Sequence, residues 1–131
     1  MGYTIETSTP PDTPTPIGPY SHIAKAGPFL SISGTAGVNP ATGLLAGDDV
    51  YAQTRQILES FSVMLAAAGS DLHHVVHVNV FLKDVGDFEE MNRAYREAFG
   101  NHLPARTAII VSDLPKKGAL MTMNLTAVTK D

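Results

Sequence analysis

Residues 73–111, HHVVHVNVFLKDVGDFEEMNRAYREAFGNHLPARTAIIV, read as a strand, a helix and a second strand. His73 to Lys83 is rich in valine, whose β-branched side chain suits a pleated, half-buried surface. Asp87 then precedes a run of helical period, with Glu90 three residues on in a capping-box arrangement. Phe88, Met91, Tyr95, Ala98 and Phe99 fall on one stripe of that helix, and Gly100 closes it. Ala105–Val111 follows as a strand in which Arg106 is the one charged residue.

Working upstream, the spacing predicts a longer helix over about Asp49–Ala68, capped by Asp48 or Asp49 and ended by Gly69. Val50, Thr54, Ile57, Leu58, Phe61, Leu65 and Ala68 share one face, while Gln53, Arg55, Gln56, Glu59 and Ser60 fall largely elsewhere. Before it, Ser21–Ala26 and Phe29–Ser33 read as two short strands joined by Gly27-Pro28, and Gly34 to Gly43 as a winding loop. Downstream, the turn Leu114 to Gly118 leads into a last strand over about Ala119–Val128. Residues 7–19 carry five prolines, which remove backbone donors and fix φ, so they read as an extended or disordered lead-in, with a further strand possible near residues 3–6.

The order β-β-α-β-α-β-β, with two helices on one face of a mixed sheet, is an α+β solution in one domain spanning 1–131. Apolar character on the sheet's other face calls for a cover, which self-association would supply.

The 131 residues contain no cysteine, which excludes disulfides, thiol nucleophiles and thiolate metal sites. No basic leader or apolar run long enough for a membrane span is present, so the chain reads as cytoplasmic. Nine Lys plus Arg against thirteen Asp plus Glu, a net charge of −4, make nucleic acid a poor candidate partner.

Arg106 is the most informative residue. A guanidinium fork can hold a carboxylate by two parallel charge-assisted hydrogen bonds, and one that is desolvated needs an acid from the protein or from a ligand. Both alternatives are open from the residues. His73 and His77, placed on one strand face, would lie about 13 Å apart, too far to share a metal ion. His22 and His102 stand alone in sequence. Ser33-Gly34 offers a hydroxyl and a close backbone approach at a strand end, or an ordinary turn. Tyr20 and Asn92 can each hydrogen-bond a ligand or simply occupy a surface edge.

Ile17-Gly18-Pro19-Tyr20, Ser33-Gly34, Val38 to Gly43, Gln53 to Gln56, Val80 to Asp84, Asp87 to Asn92, Pro104-Ala105-Arg106-Thr107 and Leu114-Pro115-Lys116 run in the order found in the RidA/YjgF family of imine and enamine deaminases. The chain resembles that family over residues 17–128. The resemblance implies a chorismate-mutase-like fold, a homotrimer with clefts at its subunit interfaces, and neither cofactor nor metal. It implies hydrolysis of small 2-imino or enamine carboxylates to 2-keto acids and ammonia. By position, Arg106 would hold the substrate carboxylate, Tyr20, Ser33, Gly34 and Asn92 would line the cleft, and the backbone of Ala108 would face the ligand. Where studied deaminases carry a water-holding Glu on the last strand, this chain has Thr122, and no Asp or Glu occurs between Leu114 and Lys130. The departure suits either a pathway-specialised deaminase, such as one acting on 2-aminomuconate-type substrates, or a trimer that binds carboxylates without turning them over.

Overall fold

The computed structural model describes residues 2–131. Its strands are β1 (Ile5–Ser8), β2 (Ile23–Ala26), β3 (Phe29–Ala36), β4 (Val75–Leu82), β5 (Ala105–Ile110) and β6 (Met121–Val128), with helices α1 (Val50–Ala67) and α2 (Phe88–Phe99). They form one mixed sheet in the order β1-β2-β3-β6-β4-β5. β6 runs antiparallel to both β3 and β4 and lies between them, while β4 and β5 are parallel and joined through α2.

After a register shift between Val75 and His77, β4 alternates from Val78 to Leu82. Val78, Val80 and Leu82 are buried on the helix side, with Leu30 and Ile32 of β3 and Met121, Met123 and Leu125 of β6 beside them. α1 lays Ile57, Phe61 and Leu65 over these side chains, and α2 adds Met91, Tyr95 and Phe99. Burying such side chains is worth about 1.5–3 kcal/mol each. The other face carries mainly Phe29, Ser31, Asn79, Phe81, Thr122, Asn124 and Thr126, and among the described residues no helix or strand covers it.

Several expected boundaries move. β3 continues through Gly34 to Ala36 instead of ending at Ser33, because a bulge between Ile32 and Thr35 absorbs one extra residue and lets pairing with β6 resume. A strand does form near the N-terminus, at Ile5–Ser8, so the predicted lead-in starts inside it. Leu72–His74 is a 3-10 turn, so His73 and His74 do not alternate across a strand. His74 instead hydrogen-bonds Asp71, and His102 Nε2 donates to the carbonyl of Val75.

Asp49 caps α1 by accepting from the Ala52 N–H, and Gly69 follows its end at φ +81°, a conformation that favours glycine. Asp87 makes no such cap on α2. A 3-10 turn over Val85–Asp87 has already begun the helical path, and Asp84 accepts from the Gly86 N–H instead, while Glu90 pairs with Arg93. Ala94, not Ala98, completes the buried stripe of α2.

Two residues expected outside the α1 stripe, Gln53 and Ser60, are buried. Gln53 donates to the carbonyls of Gly47 and Gly118 and accepts from Leu120 N–H, tying the loops at both ends of the core to α1. Gly37 packs directly against it. A Cβ at Gly37 would stand 2.5 Å from the Gln53 carbonyl oxygen.

Candidate functional site

β5 is the edge of the sheet, and Arg106 pairs with Val78 of β4. Paired residues project to the same side, so Arg106 points toward the helices. It is half-buried against α2, where its Nη1 donates to Asn92 Oδ1 at 2.8 Å. The guanidinium carbon lies 4.9 Å from the ring centroid of Tyr95 and 5.6 Å from that of Phe88, within the range of cation–π attraction. Among the described residues no Asp or Glu forms an ion pair with Arg106. Of the two partners open from sequence, the internal acid is therefore not there. An amide and two aromatic rings position the cation without neutralising it. Burial pushes the Tyr95 phenol up to about 12, against the lowering pull of the Arg106 charge, so that hydroxyl stays protonated.

A second group of residues lines a separate cavity of about 410 Å³. Tyr20, Ser33, Gly34, Lys116 and Thr122 all border it, and no Asp or Glu is in its wall. Tyr20 accepts from the Ile17 N–H through its hydroxyl oxygen, which leaves the O–H proton available. Gly34 sits in the β3 bulge, and a Cβ built there meets nothing within 4 Å, so the space beside it is open.

One polar group of this wall escaped the sequence reading. His22 is 2% exposed, with Nδ1 3.2 Å from Ser33 Oγ and Nε2 in a short hydrogen bond to the Pro14 carbonyl. The signal was present, since the Gly27-Pro28 turn pairs Ala26 with Phe29 and counting back along the hairpin sets His22 opposite Ser33. The same contact anchors the proline-rich lead-in, where Pro14 is buried.

The predicted residues thus fall into two groups. Arg106, Asn92 and Ala108 are absent from the cavity wall. Thr122 pairs with Phe81, on the uncovered face, whereas Arg106 pairs with Val78, on the helix face. Within one chain, the guanidinium and the Thr122 hydroxyl point to opposite sides of the sheet. Ala108 shares the Arg106 side and packs against the core, on an edge strand whose outer backbone groups have no sheet partner. Among the described residues no cluster of three His, Asp or Glu side chains could hold a metal ion, and no helix is long and apolar enough to cross a membrane.

Comparison with known proteins adds to this geometry. The family model described as Endoribonuclease L-PSP matches residues 11–129. A RutC family protein of Pyrococcus horikoshii is 50% identical over 105 residues, covering 80% of this chain and 83% of its own. A 2-iminobutanoate/2-iminopropanoate deaminase of Capra hircus is 39% identical, covering 80% and 77%. The crystal structure of the YjgF gene product from E. coli superposes with a TM-score of 0.88 at 35% identity, covering 94% and 98%. Matched in sequence over nearly its whole length and in its α+β architecture, the chain belongs to the RidA/YjgF family.

Proposed function

We propose that the protein hydrolyses small 2-imino or enamine carboxylates to 2-keto acids and ammonia, with Arg106 holding the carboxylate. The observation that carries this reading is a half-buried guanidinium with no acid of the protein against it and one Nη1 proton engaged by Asn92. An incoming carboxylate would supply the missing charge by a charge-assisted fork. The chemistry asks little more of the protein. An iminium carbon is already electrophilic, so orientation, a bound carboxylate and one placed water suffice, without a covalent nucleophile. Among the relatives, the caprine protein is named for this activity.

The reading includes a homotrimer whose clefts are shared between copies. The division of the site supports it, because Arg106 from one copy can meet the Tyr20, Ser33, Gly34 and Thr122 wall only if that wall comes from a neighbour. The uncovered sheet face, though largely polar, leaves Phe29, Val76 and Ile109 about half exposed, and association would bury these apolar side chains.

The test is ammonia release from freshly generated 2-aminoacrylate, compared with Arg106→Ala. Wild type should accelerate release above the spontaneous rate, and the variant should lose at least about tenfold in kcat/KM, the size of one charge-assisted contact. Equal inertness of the two proteins would refute the reading for this substrate class. The cavity wall without a carboxylate favours a second reading, a trimer that binds keto acids without turnover. Calorimetric binding of 2-ketobutyrate without ammonia release would select it.

A further inference from the structure

We infer that Ser33 and His22 form a proton relay opening on the cavity, in which the Ser33 hydroxyl takes a proton from water and His22 Nδ1 accepts Ser33's own. Its part in turnover rests on the imine hydrolysis proposed above, while its geometry is independent of that reading.

The bond to Pro14 sets the direction. A carbonyl oxygen only accepts, so Nε2 carries the ring proton and the neutral ring presents a lone pair at Nδ1. That lone pair faces Ser33 Oγ at 3.2 Å, and the serine hydroxyl donates to it. A hydroxyl, an imidazole base and a third group orienting the base make up the arrangement that activates serine oxygens in other enzymes. Here a backbone carbonyl stands where a carboxylate usually does. The ring stands edge-on to Tyr20 at 6.0 Å, and the backbone N–H of His22 donates to Thr9 Oγ1. Ser33 and His22 both border the cavity, with His22 almost wholly buried. Tyr20 and Lys116 are the other titratable side chains of the wall. The His22 imidazole is therefore the group of this wall with a lone pair placed to accept a proton from Ser33, and the Thr122 hydroxyl offers no such base.

The step balances. Water oxygen bonds to the iminium carbon, the C=N π pair moves to nitrogen, and one water proton passes to Ser33 Oγ as the serine proton moves to Nδ1. Return of that proton to the amine nitrogen makes it a leaving group. The C–N bond then breaks with its electron pair on ammonia, the carbinol proton is lost to the departing ammonia, and keto acid and ammonium result. No oxidant or reductant is involved.

Two measurements on wild type, His22→Gln, His22→Asn and Ser33→Ala test the relay. Gln can keep the donor to Pro14 and Asn the acceptor toward Ser33, but neither accepts a proton at these pH values. The first measurement is ammonia release, corrected for spontaneous hydrolysis, across the pH range. The second is acylation of Ser33 by p-nitrophenyl acetate, followed by p-nitrophenolate release and mass spectrometry, which needs no imine substrate. Both His22 variants should lose about a hundredfold or more in kcat, the usual share of a general base, with KM changed only a few-fold. The fall in wild-type kcat on the acid side should vanish in both, and Ser33 should be acylated in wild type only. Unchanged kcat and acid limb in a folded His22 variant would overturn the relay and leave the deaminase reading standing. No acylation of Ser33 in wild type would likewise overturn it. A wild type that releases no ammonia but acylates at Ser33 in a His22-dependent way would sink the deaminase reading and support the relay.

Discussion

Asn92→Asp places a carboxylate where an amide oxygen now stands 2.8 Å from Arg106 Nη1. Two unit charges about 4 Å apart attract by about 4 kcal/mol at the effective dielectric of a protein surface, before desolvation is subtracted. Because the site is half-exposed, the net gain in stability should be about 1 kcal/mol or less. The consequence for a ligand is larger and opposite in sign. An incoming carboxylate would meet a guanidinium already neutralised and a negative charge at its side. Losing one charge-assisted contact costs about 1.5–3 kcal/mol, or roughly 10- to 150-fold in affinity. Titration calorimetry with 2-ketobutyrate, paired with thermal unfolding, reads both effects. Asn92→Ala is the control, since it removes the hydrogen bond and leaves the cation unneutralised, and its affinity should fall by less than that of Asn92→Asp. The reasoning is refuted if Asn92→Asp binds the keto acid as tightly as wild type while its unfolding midpoint shows the fold intact.

Gly34→Ala should fold as wild type does, because the new methyl meets no atom within 4 Å, yet it narrows the cavity beside Ser33. Its thermal midpoint should stay put while turnover falls, and a large loss of stability would contradict the open space at that position. Gly37→Ala should do the reverse, costing about 1–3 kcal/mol in urea unfolding, since its Cβ would press on the backbone of Gln53 at 2.5–2.7 Å. Asp71 is held below the ordinary carboxylate value of 3.8, chiefly by its hydrogen bond from His74. A carboxylate with a lowered pKa contributes stability that is complete above 3.8 and lost as pH falls through the lowered value. The stability difference between wild type and Asp71→Asn should therefore shrink as pH falls below 3.8, by a small amount because the pair is partly solvated.

Much of this fold was legible because local chemistry and tertiary packing agree. The valines of β4, the stripe of α1 and the Asp49 cap each point to the element that forms. The misreadings came where a neighbour overrode local preference. Gly34 looked like the end of a strand, but pairing with β6 continues past it through a bulge. Asp87 had the spacing of a capping box, but the 3-10 turn ahead of it had already satisfied the chain's course. Gln53 looked like a surface amide, but the loops at Gly47 and Gly118 bring it backbone partners that make its burial tolerable.

The sequence alone determined the α+β class and the singularity of Arg106, since these follow from periodicity, turn residues and the rarity of a charge in an apolar strand, and its motifs carried the family resemblance. Only the tertiary structure decided what Arg106 faces, because whether an acid reaches a guanidinium depends on how α2 packs over β5. It also decided that Arg106 and Thr122 project from opposite faces of one sheet, and that His22 closes on Ser33 and Pro14. Strand register and loop closure bring such groups together across distances that no local pattern encodes.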